Sequence, residues 1–434
     1  MTSTEAPRPA PGPGRIRQNA IYRAGVLGRV PSVPTDAAEL ERRARKAMSR
    51  KAWAYVAGGA GSGATMRHNR AAFERWRVVP RMLHGVTTRD LSTAVLGTPL
   101  RAPLLLAPVG AGALVTRGSD VRIAQGAAAA GVPYIFSSQG SSPMERTAAA
   151  MGDTPFWYQL YWSTDEPLVD SMIRRAEDCG ARALVVTLDT TLLGWRPQDL
   201  NLGSLPFARG LGIAQYTSDP RFGEIMRDRI AAAAGRRAER PRVTLAALRA
   251  LLSMAREYPG GTGANLRSAE PRAAVETFLD IYSNPGLSWA HLETLRRRTT
   301  LPILLKGILH PDDARTALEA GVDGIIVSNH GGRQVDHAVA ALDALVAVRA
   351  AVGPDPTVLF DSGIRSGADV FVALALGADA CLLGRPHIYG LAIAGADGVR
   401  QVAENIVAEL DLTMALVGVP DVAAVTRELL VPAP

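Results

Sequence analysis

The stretch Ser328-Asn329-His330-Gly331-Gly332-Arg333-Gln334 places a histidine and an arginine among glycines, directly after the apolar run Val322–Val327. A short apolar run of this kind reads as a buried strand. The loop that follows such a strand is where a β/α protein keeps its chemistry. His330 suits a general base, because imidazole titrates near neutral pH. Lys306 ends a second apolar run, Leu301–Lys306, and fits either a Schiff-base nucleophile or a fixed cation. Arg196 and Arg333 together suit a carboxylate clamp, and Tyr55 and Tyr161 can supply phenolic hydrogen bonds. Asp361-Ser362-Gly363-Ile364-Arg365 and Gly384-Arg385-Pro386 combine glycines, which let backbone N–H groups approach an anion, with arginines that pair with it. These two segments imply a phosphorylated cofactor, with a phosphorylated substrate as the rival.

Something must bring these scattered residues to one place. From Pro103 to Leu383 short apolar runs alternate with helical patterns, giving eight strands that begin near Pro103, Val132, Phe156, Ala183, Leu301, Gly324, Val358 and Ala380. Eight such units close into a (β/α)8 TIM barrel. A doubly wound sheet would also alternate, but no Gly-x-Gly-x-x-Gly follows the first strand. The chemistry-bearing residues fall at the strand ends. They are Ala107-Pro108-Val109-Gly110, then Ser137, then Gln159 and Tyr161, then Thr187, Asp189 and Arg196, then Lys306, then Ser328, His330 and Arg333, and finally the two glycine–arginine segments. Barrel strand ends converge on one mouth.

Outside the barrel, residues 1–20 are rich in proline, glycine and polar residues and are expected to be disordered, at least in part. Residues 21–101 form a helical extension, with one helix over Glu39–Ala60 and a small hairpin over Leu91–Leu100. The barrel occupies 102–434 and includes a long insertion after strand 4, residues 192–287, with helical stretches at Ile230–Arg240 and Leu245–Arg256. That insertion reads as a lid or an oligomer contact.

The composition fits. The 434 residues are 47% hydrophobic with 5% aromatics, enough for one large catalytic domain. Cys179 and Cys381 read as buried thiols rather than a bridge or a metal site. Net charge is +7, and Arg221–Arg242 holds seven arginines against three acids. Phe222 is the one aromatic in that segment and no nucleic-acid fold signature is present, so these are solvated faces or attract anionic substrates. The longest nearly uncharged apolar run, Ala102–Val115, is 14 residues with two prolines, too short and broken to span a bilayer. With no secretory signal, the expectation is a cytoplasmic protein.

Ser328–Gln334, Leu305-Lys306-Gly307, Asp361–Gly367 and Gly384-Arg385-Pro386 resemble the FMN-dependent α-hydroxy acid oxidase/dehydrogenase family, over about Ala52 to Val417. Thr187-Leu188-Asp189-Thr190, Leu193–Leu200 and Ala107–Gly110 resemble most the lactate 2-monooxygenase subgroup. The resemblance implies FMN as cofactor, a small L-2-hydroxy acid and O2 as partners, and a homotetramer. It implies His330 as catalytic base with Asp189 as its partner, and Arg196, Arg333, Tyr55 and Tyr161 as substrate contacts. Lys306 becomes the cation beside the flavin, so the Schiff-base reading falls away. Ser137, Gln159 and Thr187 match the flavin edge. Val109 and Gly110 would run near flavin N5, Asp361, Gly363, Arg365, Gly384 and Arg385 match the ribityl and phosphate grip, and Ala107, Pro108, Ser328 and Ser362 are further cofactor-binding positions. No metal is implied. The subgroup likeness implies conversion of lactate and O2 to acetate, CO2 and water. The alternative is an oxidase or dehydrogenase that releases the 2-oxo acid, with a larger substrate possible. Gln139 stands where glycolate oxidases place a tryptophan, which leaves the substrate side chain open.

Overall fold

The computed structural model describes residues 11–233 and 244–434. Its centre is a closed barrel of eight parallel strands. In order these are Leu104–Leu106, Tyr134–Ser137, Phe156–Leu160, Leu184–Thr187, Ile303–Ile308, Gly324–Val327, Thr357–Phe360 and Ala380–Leu383. Strand 8 closes on strand 1 by pairing Cys381 with Leu104. Nearly every strand residue is buried, as expected where helices cover the outside and side chains fill the inside.

Strand side chains alternate between faces, and in a barrel one face points inward. The inner cluster contains Leu105, Ile135, Trp157, Val185, Leu304, Ile326, Leu359 and Leu382, one from each strand. The hairpin Thr93–Val95/Thr98–Leu100 plugs the bottom of this core with Val95 and Leu100. There the Trp157 indole donates to Thr98 Oγ1 at 3.3 Å. Two residues further along each strand, on the same face, lie Ala107, Ser137, Gln159, Thr187, Lys306, Ser328, Asp361 and Gly384. The inward face thus changes from apolar to polar in a single step toward the C-terminal mouth.

Several expectations need correction. Pro13–Val26 is a helix rather than part of a disordered tail. It starts with proline at its first turn and lies on the long C-terminal helix Arg385–Val417, where Arg17 Nε donates to Asn405 Oδ1 at 2.8 Å. The single helix over Glu39–Ala60 is two, Ala37–Ala47 and Arg50–Ala57. Met48 turns extended, and Ser49 starts the second helix by accepting from Ala52 N at 3.1 Å. Cys381 is buried, but Cys179 is only half-buried; both are free thiols. Of Ile230–Arg240, residues 234–240 lie outside the described residues. The rest of the insertion carries its own aromatic cluster, with Phe207, Tyr216, Phe278 and Tyr282 in mutual ring contact, and this cluster is continuous with the helix–barrel core. No helix among the described residues is long and apolar enough to cross a membrane.

The two ends of the chain meet. Trp76–Val78 pairs antiparallel with Leu430–Pro432. The fully buried Asp411 accepts from Arg89 Nε and Nη2 at 2.9 and 3.0 Å and from Gly14 N at 2.9 Å. A buried carboxylate left without its cation is strongly destabilising, so Arg89→Ala should cost about 3–5 kcal/mol, read as a lower urea midpoint. Combining Arg89→Met with Asp411→Leu should recover part of that loss, since an apolar pair removes the stranded charge.

Candidate functional site

Ser328, at the end of strand 6, organises the polar layer. Its Oγ accepts from Lys306 Nζ at 2.9 Å and from His330 N at 3.0 Å, and donates to Asp361 Oδ2 at 2.6 Å. Lys306 Nζ also lies 3.2 Å from Asp361 Oδ2. Burial works against the Lys306 charge, but Asp361 and Asp189 outweigh it and raise its pKa, so the group stays an ammonium. Ser362 Oγ, from strand 7, accepts from Asn329 N and Gly331 N at 3.3 and 2.9 Å. Both His330 (φ +57°) and Ser362 (φ +93°) take left-handed backbone. That conformation is costly for residues with a β-carbon and persists where the surroundings over-determine it.

His330 meets Asp189 from strand 4. Nδ1 lies 2.7 Å from Asp189 Oδ1, and Thr190 Oγ1 donates to the same carboxylate oxygen at 2.9 Å. Burial pushes Asp189 up, but the His330 and Lys306 charges pull it down to about 2. Burial lowers the His330 pKa more than Asp189 raises it. The resting pair is therefore neutral imidazole beside carboxylate, with Nδ1–H held by Asp189 and the other ring nitrogen available as an acceptor. Tyr161 stays protonated, because burial and the Asp189 charge both raise its pKa.

Gln334 joins the strand-4 turn to the strand-6 loop. Its Nε2 donates to Asp189 O and Leu192 O at 2.7 and 2.9 Å, while its Oε1 accepts from Arg196 Nη2 at 2.6 Å. Arg196 Nε donates to Arg333 O at 3.0 Å, and Arg333 Nη1 donates to Tyr55 O. The Arg333 guanidinium lies 4.9 Å from the Tyr55 ring centre. Behind the loop, Asn69 and Asn329 exchange two amide hydrogen bonds of 2.8 and 2.7 Å. At Gly332 (φ +74°) a β-carbon would lie 2.7 Å from Met66 N, so the loop needs glycine to seat against the extension.

A cavity of about 930 Å³ runs across this mouth. Its lining brings together Tyr55, Tyr161, Arg196, His330 and Arg333 with Ala107–Gly110, Lys306, Asp361, Ser362, Gly363, Ile364, Arg365, Gly384 and Arg385. Arg333 and Arg385 are neighbours, both donating to Gly58 O, at 3.3 and 3.0 Å. Ser137, Gln159, Thr187, Asp189 and Ser328 do not line it; they form the layer directly behind. Ser137 Oγ donates to Gln159 Oε1 at 3.0 Å, which leaves Gln159 Nε2 and Thr187 Oγ1 buried with no partner among the described residues. Arg333 is pushed down to about 9 by burial and the Arg196 and Arg385 charges, and Arg385 to about 10 by burial and Arg365. None of Arg196, Arg333, Arg365 and Arg385 is in an ion pair among the described residues. Confined cations without counter-charges favour anions in the cavity.

These features fit FMN. Arg365 and Arg385 with the glycine backbones can hold a phosphate, the unpartnered Gln159 and Thr187 atoms can meet a flavin edge, and buried Lys306 can face charge that grows on reduction. Sequence pattern alone assigns no site role to Gln334, Asn69, Leu193 or Phe207. Gln334 was visible in the motif, but its bonding to the strand-4 turn depends on tertiary contact. Leu193 and Phe207 line the cavity from the insertion, whose placement no periodicity announces.

Residues 44–432 match the FMN-dependent dehydrogenase family. The chain is 41% identical to the FMN-dependent alpha-hydroxy acid dehydrogenase qulF of Penicillium citrinum, covering 95% of this chain and 94% of that protein. It is 38% identical to an L-lactate oxidase of Lysinibacillus sphaericus, covering 88% of each. A crystal structure of mandelate oxidase with (S)-4-hydroxymandelic acid superposes with a TM-score of 0.74 at 35% identity, covering 92% of this chain and 99% of that one. With named relatives this mixed, lactate 2-monooxygenase is not singled out. The fold, the polar layer and these likenesses agree on one statement: the chain belongs to the FMN-dependent α-hydroxy acid oxidase/dehydrogenase family and is an FMN-dependent oxidoreductase acting on 2-hydroxy acids.

Proposed function

We propose that this enzyme oxidises an L-2-hydroxy acid to the 2-oxo acid, releases that product, and passes the electrons to O2 to give hydrogen peroxide. The observation that carries the site assignment is His330, held by Asp189 at 2.7 Å, lining the same cavity as Arg196 and Arg333, two arginines without counter-ions among the described residues. Among relatives, an L-lactate oxidase and a mandelate oxidase support release of the oxo acid over its retention and decarboxylation.

Each residue then has a part. Arg196 and Arg333 fix the substrate carboxylate and so orient the α-carbon. Tyr55 and Tyr161 hydrogen-bond the carboxylate and hydroxyl. His330 takes one substrate proton on its free nitrogen, and Asp189 stabilises the imidazolium that results. FMN, when bound, accepts the two electrons leaving the α-carbon. Lys306 holds positive charge in the layer beneath, where desolvation makes it effective. Arg365, Arg385, Gly363 and Gly384 would hold the FMN phosphate, and Asp361, Ser362, Ser328, Ala107, Pro108, Val109, Gly110, Ser137, Gln159 and Thr187 would hold the rest of the cofactor.

Anaerobic addition of lactate, mandelate and longer 2-hydroxy acids to the holoenzyme should bleach its visible flavin absorbance. In air, 2-oxo acid and peroxide should appear in equal amounts. Acetate and CO2 from lactate without peroxide would instead establish the monooxygenase outcome.

His330→Gln should retain FMN and lower kcat by about 10²–10⁴-fold, the usual worth of a positioned base. Arg333→Lys should raise KM by about 10- to 100-fold, the value of a lost charged hydrogen bond, with a smaller change in kcat.

His330 works in its neutral form, and burial holds its pKa below the ordinary value of about 6.5. The plot of kcat/KM against pH should therefore stay level down to that value and fall only below it. Asp189→Asn removes the charge that holds the imidazole up, so the acid limb should move lower still while the maximal rate drops. An acid limb that moves up in the variant would contradict the assignment.

A further inference from the structure

The insertion builds a second chamber that substrate oxidation at His330 does not by itself require. It is a cavity of about 1330 Å³ between the turn Leu193–Leu200 and the insertion helix Leu245–Glu257. Tyr55, Leu193 and Arg196 line both this chamber and the catalytic cavity, so the two adjoin at these residues. The far wall consists of Ala246, Ala247 and Ala250, three small side chains that leave room. That wall is fixed in place. Ser253 Oγ donates to Arg209 O at 2.9 Å, and Gly210 packs against Met254. Phe207, one turn away, faces the catalytic cavity. The near side exposes Trp195 (71%) and Leu200 (50%), which also line the chamber. Large apolar side chains left in water beside an active site mark a surface that something covers.

We propose that this chamber binds the distal part of an extended, mainly apolar 2-hydroxy acid, whose carboxylate is held by Arg196 and Arg333 and whose tail passes over Leu193. The inference rests on the proposed 2-hydroxy acid oxidation and specifies its substrate class. A tail is favoured over a second copy of the chain because the chamber adjoins the catalytic cavity at Tyr55, Leu193 and the carboxylate-binding Arg196, and its helix wall is already docked. Mandelate- and lactate-sized acids fill only the inner cavity. Longer tails gain the apolar burial of the outer one.

The test uses FMN-loaded enzyme and unbranched 2-hydroxy acids from lactate to 2-hydroxydecanoate. Each methylene that enters the chamber should raise kcat/KM by about fourfold until the chamber is full. Ala250→Trp narrows the chamber from its helix wall, and so does Ala247→Trp, made in parallel in case one fails to fold; flavin content and circular dichroism report folding. Either variant should cut kcat/KM on the longest acids by about tenfold or more, leave lactate within about twofold, and flatten the chain-length series. A flat series in the parent enzyme overturns the proposal. So does an equal loss on short and long acids, which would make the chamber only an entrance. A variant that changes oligomeric state while leaving chain-length preference intact also overturns it, in favour of a subunit contact. If no 2-hydroxy acid bleaches the flavin, the underlying oxidase reading fails instead, and that outcome is seen before any variant is compared.

Discussion

Side chains on a strand alternate with a period of two, and closing eight parallel strands leaves no freedom to choose which set faces inward. Here the inward set is apolar through Leu105, Trp157 and Leu304, then polar or small at Ala107, Gln159 and Lys306. A one-residue slip in any strand would put a polar site residue among the outer helices and an aliphatic one in the mouth. Register, more than any single hydrogen bond, thus aligns Lys306, Ser328 and Asp361, and the barrel pairing enforces it by holding Thr187 beside Lys306 and Phe360 beside Val327.

On that layer the charges are arranged so that each has a purpose. Lys306 keeps its proton because two carboxylates face it; Asp189 keeps its charge because a cation and an imidazole do. The cavity arginines lack such partners. A protein rarely retains confined cations without compensation unless a ligand supplies it, and a flavin phosphate and a 2-hydroxy carboxylate both carry the charge required.

Much of this was legible in the sequence because barrel strands are short apolar runs closed by glycines and polar residues, and those punctuation marks survive without tertiary information. His330, Arg333, Lys306 and the two glycine–arginine segments follow directly. The failures also have physical causes. Pro13–Val26 looked disordered because it buries little of itself and depends on Asp411 and Asn405, nearly four hundred residues away. The break at Ser49 was hidden by continuous helix-forming residues on both sides. The brace of Gln334 and the outer chamber arise where loops meet, and loop–loop contact leaves no periodic trace. The long C-terminal helix Arg385–Val417, kinked at Ala394–Gly395, was likewise unread beyond its first turn.

The reciprocal amide pair of Asn69 and Asn329 has a temporal meaning. It joins parts of the chain made far apart in synthesis, and the first strand of the extension waits for Leu430–Pro432. On a ribosome the histidine loop emerges long after the helix that seats it, and Leu430–Pro432 reaches Trp76–Val78 later still. A nascent chain that has not yet reached Arg385 lacks part of the cavity lining.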